Sequence, residues 1–116
     1  MKATNIRSLY VVLDGLRLGS MSDSGKLAMV KTLRNVARVS DDIEQDMSRL
    51  LSKSKDKATL DSIIESEYDV KIYHISESDM ERLILANPDV EIGKFVFISR
   101  FIEEEKQEFN NDLNTG

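Results

Sequence analysis

A chain of 116 residues, 41% hydrophobic and 32% charged, is long enough for one domain with a buried core and too apolar to remain disordered. Having no cysteine, it has no disulfide and no thiolate metal site, and no run approaches the ~18 apolar residues of a membrane-spanning helix. The net charge of −5 hides an asymmetry, since residues 1–58 carry +4 and residues 59–116 carry −9.

The net negative charge argues against a protein that grips nucleic acid with its whole surface, which would more often be basic overall. The asymmetry has two readings. It suits docking of one half onto the other, within the chain or between copies, and it is also what segregated solvated helix faces produce. The opening residues Met1 to Asn5 lead into an amphipathic pattern containing Arg7 and Asp14, not into a signal peptide's apolar core. The expectation is a soluble protein of the cytoplasm (a host cytoplasm or a virion if phage-encoded), without membrane or small-molecule partners.

Ile6, Leu9, Tyr10 and Leu13 recur at helical spacing and predict a short first helix, with Thr4 or Asn5 as N-cap and Gly15 and Gly19 bracketing its end. Ser20 to Gly25 is a turn rich in capping residues. From Asp23 to Lys53 follows a Pro-free stretch in which Met29, Leu33, Val36, Ser40, Ile43, Met47 and Leu50 alternate spacings of four and three. That is a heptad seam, which predicts one long helix whose stripe is buried by other helices or by a second copy. Val30, Ala37 and Leu51 widen the stripe, while Lys31, Arg34 and Arg38 form a basic face opposite it. Ser40 followed by Asp41, Asp42, Glu44 and Asp46 also allows two abutting helices, but the unbroken heptad phase favours one rod.

Residues 52–57 form a polar linker between a long-helix half (1–53) and an acidic helical half (58–108), and a tail (109–116) is expected to fray. Leu60, Ile63, Ile64 and Tyr68 predict a short helix. Val70 to Ile75 changes to a β-branched and aromatic composition and predicts a strand, paired with Phe95–Ile98 or with another molecule. Ser78 and Glu81 have the spacing of a capping box, opening a helix with Met80, Leu83 and Ile84 inward and a stop at Asn87-Pro88. Asp89 is placed to cap a last element. Within it Ile92, Phe95, Val96 and Ile102 keep helical spacing and Ile92, Val96 and Ile98 strand spacing, the length favouring helix.

No chemical motif withstands its ordinary alternative. Gly19 to Lys26 has five residues between its glycines, no hydroxyl after the lysine and no preceding strand, so it is a helix start and not a phosphate loop. The four carboxylates from Asp41 to Asp46 lack the glycine and terminal glutamate of a calcium loop. His74, the one histidine, is expected to be a half-buried or edge residue of the strand. The helices flanking Asn87-Pro88-Asp89 could form a helix-turn-helix, but the second offers phenylalanines and glutamates where bases and phosphates need polar and basic groups. Catalytic, cofactor and metal sites are therefore expected to be absent.

Two stretches carry a resemblance. Thr4-Asn5-Ile6-Arg7-Ser8-Leu9-Tyr10 runs into Leu18-Gly19-Ser20-Met21-Ser22-Asp23, and Ile75-Ser76-Glu77-Ser78-Asp79-Met80-Glu81-Arg82-Leu83 runs into Asn87-Pro88 and Ile92-Gly93-Lys94. Together they resemble a family of small uncharacterised proteins from phage and prophage gene blocks of gut Bacteroidetes. The resemblance covers most of the chain through hydrophobic spacing and capping residues; where such relatives often carry Gln after the Gly, this chain has Lys94. It implies a virion, assembly or accessory role and no particular site.

The expected fold is mainly α: a single-domain helical bundle of five helices built on one long helix, with at most a small β element. The expected function is a non-enzymatic interaction or assembly protein that binds itself or a helical partner, coiled-coil fashion, through Met29, Leu33, Val36, Ile43, Met47 and Leu50. The alternative is a DNA-associated regulator using the basic face.

Overall fold

The computed structural model describes residues 1–53 and 57–104, and among them it shows five helices: α1 (Ala3–Asp14), α2 (Asp23–Lys53), α3 (Lys57–Glu65), α4 (Glu77–Ala86) and α5 (Ile92–Ile102). The middle of the predicted linker and the predicted frayed tail lie outside the described residues. The described chain is mainly helical and has no sheet, only two isolated bridges, Lys2 with Glu67 and Ile75 with Glu103.

A single unbroken rod of 31 residues, about 46 Å long, is the organising element. α2 buries Met29, Thr32, Val36, Ser40 and Ile43, so the chain passes Ser40 without a second helix start. The buried stripe is rotated from the predicted one. Val30, expected to widen it, is half exposed, while Thr32 on the other side of the seam is fully buried. α1 lies along α2 and contributes Ala3, Ile6, Leu9 and Leu13 to the core. Twelve residues do not hold a helix in water unaided. Burial at ~1.5–3 kcal/mol for each large apolar side chain fixes α1 in place.

The N-terminus of α1 corrects the predicted caps. The helix begins at Ala3, ahead of Thr4 and Asn5, and no side chain caps it. Instead the Ala3 N–H donates to the Ser66 carbonyl at 2.9 Å. Gly15 ends α1 in an ordinary right-handed conformation; the positive φ falls at Gly19, whose missing Cβ makes room for Ala86 of α4.

The predicted strand at 70–75 is not formed, and Phe95–Ile98, its suggested partner, is helical. Residues 66–76 run extended along α2, and other groups take the place of a neighbouring strand. Tyr68 N–H donates to the Met1 carbonyl at 2.9 Å. Asn35 Nδ2 donates to the Lys71 carbonyl at 3.1 Å. Thr32 Oγ1 receives the Tyr73 N–H at 2.8 Å and donates to the Tyr73 carbonyl at 3.2 Å. Ile75 N–H donates to the carbonyl of Ile102, the last residue of α5, at 2.7 Å. Tyr68, expected inside a helix, lies beyond the end of α3, with its hydroxyl donating to Asp46 at 2.8 Å.

α4 is capped two residues earlier than Ser78. Ser76 is the N-cap, its hydroxyl accepting the Asp79 N–H at 3.1 Å. The Asp79 carboxylate then reaches across to the start of α2, where it accepts from Ser22 N–H at 2.8 Å and Ser22 Oγ at 2.6 Å. α4 ends at Asn87 as predicted, and that buried amide pairs both main-chain groups of Arg17, at 2.8 and 2.7 Å. Asp89 caps nothing; it lies 3.8 Å from Arg17, and Glu91 is the N-cap position of α5. α5 buries Phe95, Ile98 and Ile102 and leaves Ile92 and Val96 of the predicted helical spacing exposed; Ile84 on α4, predicted to point inward, is exposed as well.

Candidate functional site

α1 and the C-terminal half of α2 diverge enough to leave an open groove of about 570 Å³. Its floor is Ala3 on α1 and Ser40, Ile43 and Met47 on α2; Val11 and Tyr10 form one wall and Ile64 of α3 closes the end. The lining is chiefly apolar. Val11 is 72% exposed, on the side of α1 away from the buried Ile6, Leu9 and Leu13. At the rim, Arg7 lies 3.6 Å from Glu44 and also donates to the Met47 sulfur at 3.4 Å. The rim therefore carries both signs of charge beside an apolar floor.

The six seam residues fall into four groups. Ile43 and Met47 line this groove. Leu50 borders a more polar cleft of about 490 Å³ with Arg49, Ala58, Ser62 and Tyr68. Met29 and Leu33 face a small hollow of about 100 Å³ beneath Leu16 and Leu18, and Val36 is enclosed. Much of the stripe is thus covered by the chain's own α1 and loops. Met29, Val36 and Ile43 are buried and Leu33, Met47 and Leu50 half-buried, which is one of the two arrangements the heptad pattern allowed, cover by other helices of the same chain.

Buried polar groups often mark active sites, and Thr32, Asp79 and Asn87 would attract attention on that ground. Each is consumed by main-chain pairing, and no buried side-chain polar atom among the described residues lacks a partner. Hydrogen bonds from Ser22 hold the Asp79 carboxyl below its ordinary pKa, outweighing the opposite effect of burial. Burial, reinforced by Asp46, holds the Tyr68 phenol above its ordinary range. His74 is exposed and not half-buried. The predicted acidic cluster is split, with Glu44 facing Arg7 and Asp46 engaged by Arg49 and Tyr68. No group of three His, Cys, Asp or Glu among the described residues is arranged to hold a metal.

On the outer face of α2, Arg34 and Arg38 are exposed, while Lys31 is drawn over the Tyr73 ring, with its ammonium 5.3 Å from the ring centre. No helix among the described residues is long and apolar enough to cross a membrane. Comparison of the chain with protein-family models, with curated proteins and with solved structures gives no match.

Val11 is the groove residue the sequence pattern passed over. It sits off the stripe of Ile6, Leu9 and Leu13, and an apolar residue off the stripe of a short amphipathic helix was the available signal.

Proposed function

We propose that this chain is a non-enzymatic interaction and assembly protein that binds a second copy of itself through the α1–α2 groove. The observation that carries the reading is the open groove in which half-buried Met47 and Tyr10 lie beside the exposed Val11. A two-fold contact presents the same patch to itself, so its rim must be self-complementary. Arg7 and Glu44 meet that condition, because rotation of one copy brings each opposite the other's counterpart. A virion, assembly or accessory role in a phage or prophage is the setting that the resemblance to small phage-associated proteins would give it.

Sedimentation velocity over a wide concentration range tests this. At about 1 M salt, where exposed ionic contacts are screened, the native chain is expected to shift toward a dimer as concentration rises, and Val11→Glu to weaken the dimer by at least about tenfold without changing the circular dichroism. A native chain that stays monomeric at the highest attainable concentration overturns the reading. The second reading, a DNA-associated regulator, is favoured by Arg34 and Arg38, which have no carboxylate within 4 Å among the described residues. Its signature is duplex binding that weakens steeply with salt.

A further inference from the structure

The charge asymmetry between the two halves is not consumed inside the chain. Lys2–Glu65 at 2.9 Å and Arg17–Asp89 at 3.8 Å join exposed side chains at α1 and the α1–α2 loop to the acidic half. Neither involves the outward face of α2, where Arg34 and Arg38 remain without an ion-pair partner among the described residues. At helical spacing on that same face stand Leu27 and Val30, both about half exposed. From Leu27 to Arg38 the face has an apolar end followed by a basic end, and the exposed Asp23 and Asp41 bound that stretch.

α4 and α5 form its counterpart. They leave a groove of about 240 Å³ lined by Met80, Ile84, Ile92, Phe95 and Val96, with Glu103 at one end. Ile92 is 81% exposed. Glu81 lies one turn before Ile84 on α4 and Glu91 directly precedes Ile92, while of the cations of α4 and α5 Arg100 stands one turn beyond Val96 and Arg82 and Lys94 lie half a turn from Ile84 and Ile92. This groove is apolar with an acidic rim.

We propose that the α4–α5 groove of one copy receives the outward face of α2 of the next, in a head-to-tail contact between copies. The proposal rests on the reading of the chain as a self-associating protein but uses different surfaces from the α1–α2 groove. Pairing basic with acidic patches attracts, whereas either patch against itself repels, so only the unlike pairing is favoured. A contact between unlike patches does not close on two molecules; it propagates to a ring or a filament. Because its rim is ionic and exposed, it must weaken as salt shortens the Debye length from ~10 Å at about 0.1 M to ~3 Å at about 1 M.

The test uses two full-length variants, both in the Val11→Glu background so that the other contact is silent. Arg34→Glu with Arg38→Glu removes the basic face, and Val96→Lys spoils the groove; all three positions are exposed, and circular dichroism checks the fold. Each variant alone is expected to lose at least about tenfold in self-association by sedimentation velocity at low salt. Mixed, they should form a one-to-one heterodimer that grows no further and dissociates at about 1 M salt, because the intact groove of one meets the intact basic face of the other. Absence of the heterodimer, or association indifferent to salt, overturns the proposal. Unchanged self-association with loss of duplex DNA binding in the arginine variant overturns it too, and assigns that face to nucleic acid. If Val11→Glu alone leaves native association unaltered, the α1–α2 reading falls while the heterodimer result still decides this one.

Discussion

Thr32, Asp79 and Asn87 perform one task with three different side chains: each satisfies main-chain groups of a segment that has no strand beside it. Such groups cannot be left unpaired in a core without a cost of about 1–3 kcal/mol each. Thr32→Val keeps the shape of the side chain but strands the Tyr73 N–H and C=O, and is expected to lower stability by about that amount in urea unfolding. Thr32→Ser, which keeps the hydroxyl, should lose much less. Asp79 adds a pH dependence. Its carboxyl titrates lower in the folded chain than in the unfolded one, so its contribution is complete above the ordinary value near 4 and fades as the pH falls below it. The stability gap between the native chain and Asp79→Asn, measured by unfolding at successive pH values, should therefore be constant near neutrality and shrink below about pH 4.

At the scale of elements, close approach decides where α2 begins. A Cβ on Gly25 would lie 2.3 Å from Asp79 Oδ2, so the glycine in the first turn of α2 makes room for the carboxylate of α4. Alanine is the better helix former by ~1 kcal/mol, yet Gly25→Ala is expected to lower Tm by several degrees, because it displaces Asp79 from Ser22. The long helix, α1 and α5 were legible in the sequence because their apolar residues keep a helical period, and the heptad phase carried α2 correctly through Ser40. The caps were not. Ser76-Glu77-Ser78-Asp79 and Ser78-Asp79-Met80-Glu81 both have the spacing of a capping box, and the choice rests on Ser22, 57 residues away from Asp79 in the chain. Val70–Ile75 has the composition of extended backbone, which it is, but composition is silent on whether the partner is a strand or a threonine hydroxyl. Periodicity likewise located the apolar stripes on α4 and α5 without saying what covers them, and Ile84, Ile92 and Val96 are left uncovered. The candidate groove was half legible: Ile43 and Met47 were named by the seam, Val11 by nothing but its position off the stripe.

Across the described residues most exposed large apolar side chains gather in separate places, Val11 beside the α1–α2 groove, Leu27 and Val30 on α2, and Ile84, Ile92 and Val96 between α4 and α5, while Leu85 stands apart from all three. Scattered single residues of this kind are ordinary on a monomer, whereas residues collected around grooves with charged rims mark interaction surfaces. The absence of cysteine permits a clean probe of the first of them. A Val11→Cys variant labelled with an environment-sensitive fluorophore reports directly whether that groove is covered when copies meet. Blue-shifted emission that develops with concentration, in step with the dimer seen by sedimentation, is the expected result. Emission that stays that of a water-exposed dye while the chain associates would contradict the account.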